Sequence, residues 1–183
     1  MAIKSLARSS IRQTGRTNSA LAGYETNYFH HLETVRLGGN AATVTFSNLT
    51  RYSDYQHLQL RVVQIGSNGS SRMTVNGDTG SNYAEHQLGG SGSVFSNGNA
   101  STTDFYLGAI ETTIPSPFIV DILDCFETTK NKTFRTFFGS SGIVGIRSGQ
   151  WRNIAAINQL TLTSPGTFSA GSRFSLYGLK ARA

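Results

Sequence analysis

The stretch Gln56-His-Leu-Gln-Leu-Arg-Val-Val-Gln-Ile-Gly66 decides the fold class. Leu58, Leu60 and Val62 recur at every second position, the period of a half-buried β-strand and not of a helix. Val63 and Ile65 then carry the apolar character in the opposite phase, which predicts one inserted residue, a β-bulge. Similar stretches follow on both sides. Val44 and Phe46 share a face in 42–49, and Met73 and Val75 form a short strand closed by Asn76-Gly77, a pair suited to a tight turn with positive φ. Further strands are expected over 82–88, 104–110, 132–139, 142–147, 157–164 and 172–179. Over 117–127, Phe118, Val120 and Ile122 occupy one face and Ile119, Leu123 and Cys125 the other, so a central strand buried on both faces is expected. Residues 88–101, rich in Gly, Ser and Asn, are expected to be a surface loop.

About nine strands thus succeed one another at short intervals, and no helix-period segment longer than two turns separates them. The expectation is an all-β fold: an antiparallel β-sandwich, jelly-roll-like, with an extended N-terminal arm. Composition agrees. The 183 residues are 38% hydrophobic and 10% aromatic, enough for one core, yet only 14% charged. Gly, Ser, Thr and Asn fill the difference, which suits turns and argues against helical bundles. No apolar run reaches the length of a membrane-spanning helix. No secretory leader is evident.

The net charge of +6 is uneven. Lys4, Arg8, Arg12 and Arg16 precede the first acid, Glu25, so the leading 24 residues carry +4. Residues 1–40 are therefore expected to be an anchoring arm and 41–183 the sandwich domain. A solvated terminus, an arm that orders on a partner and a nucleic-acid tail are the three alternatives for the basic stretch. The last is disfavoured, because four charges are sparse for phosphate binding and no aromatic residue interleaves them.

Catalytic signals are weak. His30 and His31 are adjacent and so point to opposite faces of a strand, His57 opens a strand and His86 lies near a loop, giving no metal-ligand spacing. Asp121 and Asp124 do not form a facing carboxylate pair. Cys125, the single cysteine, sits in an apolar run and is expected to be a buried hydrophobe; alone it makes no disulfide or zinc cage. Asp78, within NGDTGSNY, is expected to cap its own turn, with a bound cation or sugar as the alternative. If the domain contacts a ligand or receptor, Asp78, Tyr83, Phe95 and Trp151 are the candidate residues.

The strings YQHLQLRV (55–62), NGDTGSNYAEH (76–86), FIVDILD (118–124), NKTF (131–134), WRNIAAINQLTL (151–162) and SAGSRFSLYGLK (169–180), in this order, resemble a recurrent β-rich domain. It belongs to virion structural proteins of tailed bacteriophages, cyanophages included. The resemblance covers about residues 42–180 and leaves out the basic stretch. It implies a non-enzymatic virion component without catalytic residues or cofactors, commonly a homotrimer. Its partners would be its own copies and other virion proteins of the tail, baseplate or capsid. A tail or baseplate fibre-type component leads, a capsid decoration protein is the alternative, and a module binding host surface glycan is a third. A small hydrolase would need two acids brought together across strands.

Overall fold

The computed structural model describes residues 29–67 and 69–180. Apart from one 3-10 turn (Leu49–Tyr52), its regular structure is twelve strands: β1 (Phe29–Arg36), β2 (Ala41–Phe46), β3 (His57–Gln64), β4 (Gly69–Val75), β5 (Tyr83–Gly90), β6 (Val94–Thr102), β7 (Phe105–Ile110), β8 (Ser116–Leu123), β9 (Lys132–Gly139), β10 (Val144–Trp151), β11 (Leu160–Phe168) and β12 (Arg173–Leu179). They form an eight-stranded sheet, β1-β12-β3-β8-β9-β10-β5-β6, and a four-stranded sheet, β2-β11-β4-β7. All pairings are antiparallel.

Setting aside the hairpins β5–β6 and β9–β10 exposes the logic. The remaining eight strands form two sheets of four, β1-β12-β3-β8 and β2-β11-β4-β7. This is jelly-roll connectivity, the expected fold class. The two hairpins both add to the same sheet, beyond β8. The core lies between the layers and is built by the inward alternate residues, among them Leu58, Leu60, Val62, Phe118, Val120, Phe134, Leu160, Leu162, Phe174 and Leu176.

Four local expectations are corrected. Residues 29–36 are not arm: β1 pairs along β12 as an edge strand. A register shift between His31 and Glu33 breaks its alternation and hides the strand signal. Residues 94–102 are likewise a strand, because β5 supplies a ladder that the Gly, Ser and Asn content does not forbid. The bulge in β3 is absent, and β3 pairs without a shift on both sides. Gln64, not Val63, takes the inward position; its Nε2 donates to Ser71 Oγ (3.1 Å) and Ala109 O (3.0 Å), while its Oε1 is buried without a partner. Finally, β8 is central, fourth of eight, but only one of its faces is covered, and Ile119 points outward.

The Asn76-Gly77 turn is present with φ of 52° and 71°. It carries the chain between the sheets, from β4 to β5, and is not a hairpin. Asn76 Oδ1 accepts from the backbone of Asn158 and Gln159, and its Nδ2 donates to Ala156 O, locking this crossing to the segment before β11.

Candidate functional site

The four basic residues Lys4, Arg8, Arg12 and Arg16 lie outside the described residues. Of the candidate contact residues, Tyr83 and Trp151 are buried and are corrected to framework roles. Tyr83 donates its hydroxyl to Asp78 O (3.0 Å) and accepts from Val75 N (2.9 Å). Burial pushes its phenol up to about 12. Trp151 Nε1 donates to Asp78 Oδ2 (2.7 Å). Asp78 also accepts from Gly80 N (2.9 Å) and Asn82 Nδ2 (2.9 Å), so it caps its turn and its acceptors are occupied. Burial raises the Asp78 carboxyl, but hydrogen bonds from Trp151, Asn82 and Gly80 outweigh it and hold the pKa below the ordinary value. These three residues brace the β4–β5 crossing against the end of β10. Phe95 is half-buried on edge strand β6, with its ring against Gly89.

The other titratable candidates are also dispersed. His31 bonds Thr34 Oγ1 (2.7 Å) and meets Tyr177 edge-on. His30 packs near Tyr55, and the His86 ring lies over Gly98. His57 Nδ1 accepts from Asp124 N (2.9 Å) and lies 3.5 Å from the Asp124 carboxylate. Asp124 instead meets Lys130 Nζ at 2.6 Å. That contact, above burial, sets the direction of its shift and holds its pKa low. Cys125 is fully buried, and burial pushes its thiol up to about 12, away from nucleophile chemistry. Among the described residues, no group of three or more His, Cys, Asp or Glu is placed to hold a metal. No helix among them is long and apolar enough to cross a membrane.

What the structure does gather is a surface. Fractional exposures are 38% for Ile119, 56% for Phe137, 49% for Ile146 and 50% for Leu88. Register makes these four direct neighbours: Ile119 opposes Phe137, Phe137 opposes Ile146, and Ile146 opposes Leu88. They form one apolar row across β8, β9, β10 and β5 on the outer face of the large sheet. A second row lies two residues along each strand. It holds Val63 (38% exposed), Pro117, Val144 (57%) and Val94 (82%), with Gly139 and Gly90 between them. Cross-strand aliphatic and aromatic neighbours of this kind reinforce one another.

A polar row borders the apolar band on its other side. Asp121 accepts from Gln59 Nε2 (2.7 Å) and pairs with Arg135 (2.8 Å). Arg61 donates to Gln59 Oε1 (2.8 Å) and lies over the rings of Phe29 and Tyr177. Arg135, Ser148 and His86 continue the row onto the inserted hairpins. There, with Leu88, Asn97 and Ile146, they line a shallow groove of about 480 Å³. Sequence periodicity sets Val63 and Ile119 on the second face of their strands, but their assembly into one band is visible only once register is known.

No protein-family model matches this chain, and no curated protein matches it.

Proposed function

We propose that the chain is a non-enzymatic structural protein of a tailed-phage virion, a fibre-type component of tail or baseplate that works by assembly. The observation that carries this reading is the contiguous outward apolar band of the eight-stranded sheet, bordered by the Asp121–Arg135 ion pair. Exposed apolar patches of this extent mark interaction surfaces. A jelly roll supplies a stiff body, and its low charge leaves a surface suited to wet, hydrogen-bonded contacts. The basic leading stretch with Lys4, Arg8, Arg12 and Arg16 serves as the tether to neighbouring virion proteins.

Capsid decoration is the alternative location, and copy number separates the two: hundreds per particle for the capsid, a few to a few dozen for the tail. The glycan-binding alternative keeps only Phe95 of its three candidate aromatics accessible, because Tyr83 and Trp151 are enclosed. Quantitative mass spectrometry of purified particles is the test. The full chain should be present, and a chain lacking residues 2–23, which keeps every described strand, should be missing from particles. Absence of the full chain from particles overturns the reading. Normal incorporation of the truncated chain overturns the tether.

A further inference from the structure

We propose that the apolar band is the contact between two copies of this chain, packed face to face about a two-fold axis that runs along the strands between β9 and β10. This rests on the geometry of the band and stands apart from the virion reading.

Three observations converge on a second copy as the occupant. The first is shape. Rotation about that axis lays β9 on β10, β8 on β5 and β3 on β6 of the second copy, following the strand order. Large residues then meet their complements: Phe137 faces Ile146, Ile119 faces Leu88, and Val63 faces Val94. Where one copy is bulky the other is bare. Val144 covers Gly139, and Pro117 covers Gly90; the Cβ position of Gly139 is open and that of Gly90 meets nothing closer than Ser93 O at 3.8 Å. A two-fold contact must be complementary to itself in this way, and the small inter-sheet angle of aligned sandwiches preserves the matching.

The second observation is charge. In the polar row the same rotation sets Asp121 opposite His86 and Arg135 opposite Ser148, so no like charges are stacked there. The chain's own leading stretch is a poor occupant by the same measure. It is basic, and the charges bordering the band include Arg61, Arg135 and Arg173. The third is area. Weighted by ordinary whole-residue areas, the exposures of the seven aliphatic and aromatic residues amount to about 700 Å² per copy, close to the roughly 800 Å² per partner of a standard interface.

The test uses the full chain. Sedimentation velocity across a dilution series should show reversible dimers. Phe137→Glu should weaken association by about 30-fold or more, since it buries a charge in an apolar contact, with an unchanged melting temperature at dilutions where the parent chain is monomeric. Val144→Lys serves the same purpose at a second point of the band, should Phe137→Glu lower the melting temperature. Val63→Cys with Val94→Cys addresses the axis directly. Within one chain these strands are five steps apart in the sheet, about 24 Å, whereas sheets stacked face to face lie about 10 Å apart, too far for a direct disulfide but within reach of a bis-maleimide of about 10 Å span. Such a cross-linker should therefore yield a covalent dimer. Monomers at about 100 μM, a trimer, dimers indifferent to both charge variants, or no cross-link at Val63 and Val94 would each overturn the pairing. None of these outcomes bears on whether the chain is present in particles.

Discussion

Replacing Arg147 with Met should destabilise the protein by about 3–5 kcal/mol, because it strands a carboxylate inside. Arg147 and Glu85 are both about nine-tenths enclosed, with Nη1 and Oε1 at 2.6 Å. The second Glu85 oxygen accepts from Tyr106 N (2.9 Å), and Arg147 also donates to Gln87. Its guanidinium lies 4.0 Å from the centre of the Tyr106 ring. Methionine matches the stem of arginine but offers no donor, so Glu85 would keep its charge without the partner that balances it. Glu85→Gln in the wild-type background leaves the guanidinium short of a partner and should cost about 2–3 kcal/mol. The double variant Arg147→Met with Glu85→Gln should lose at least about 2 kcal/mol less than the two single losses together, since it leaves no unpaired charge. Urea unfolding followed by the fluorescence of Trp151, the single tryptophan and a buried one, reads all four proteins. A loss below about 1 kcal/mol for Arg147→Met, or strict additivity in the cycle, would refute the argument.

Gly149→Ala should cost about 1–3 kcal/mol in the same assay, because its Cβ would stand 2.1 Å from Phe105 Cε2 and 2.9 Å from Ala84 O; Gly139→Ala, with open space at its Cβ, should change little. Lys132 is fully buried and donates to the carbonyls of Glu127, Lys130 and Ile154, so Lys132→Met leaves three acceptors bare and should lower the urea midpoint by an amount equivalent to about 2 kcal/mol or more. Asp78→Ala removes the acceptor of Trp151, Gly80 and Asn82 and should lower stability by about 1–3 kcal/mol, with a shift of Trp151 emission. Asp78 and Asp124 have depressed carboxyl pKa values when folded. The folded state thus binds fewer protons near pH 4, and their contribution, complete above the unfolded carboxyl pKa, fades as pH falls through the lower folded one. Melting temperature against pH should show this acid loss, and Asp124→Asn should reduce its slope.

The jelly roll was legible because most of its strands keep strict alternation and end in strong turn chemistry. Lys132–Gly139 coincides with its sequence expectation, and 105–110 and 173–179 differ by a single residue at one end. Legibility failed where side-chain pattern and backbone role part company. In β1 a register shift erases the alternation, and in β6 the residues carry almost no apolar signal because both faces of the strand are largely open. Gln64 misleads for the opposite reason: a polar residue enters the core, where Ser71 and Ala109 accept from its Nε2. Tyr83 and Trp151 look like ligand-binding aromatics in sequence, yet Asp78 recruits both as braces, a pairing across 73 residues that no local pattern contains.

The two inserted hairpins explain why polar residues sit inside this protein and apolar ones outside. Because both extend the same sheet, β9, β10 and β5 project past β7, the edge of the smaller sheet. Their inner faces are apolar where Phe134, Phe138, Tyr83 and Trp151 join the core, and polar along the middle of β5 and β10, beside Tyr106 of β7 and the Arg72 side chain of β4. On that stretch Glu85, Gln87 and Arg147 close on one another and on Tyr106. The outer faces of those strands bear the reverse pattern, with Phe137, Ile146 and Leu88 in the open. A four-stranded pair of layers has no need of such a face. An enlarged sheet that bears its apolar band on the side away from its own core is arranged for a second layer supplied from outside, and the two-fold pairing of copies provides that layer from the same sequence.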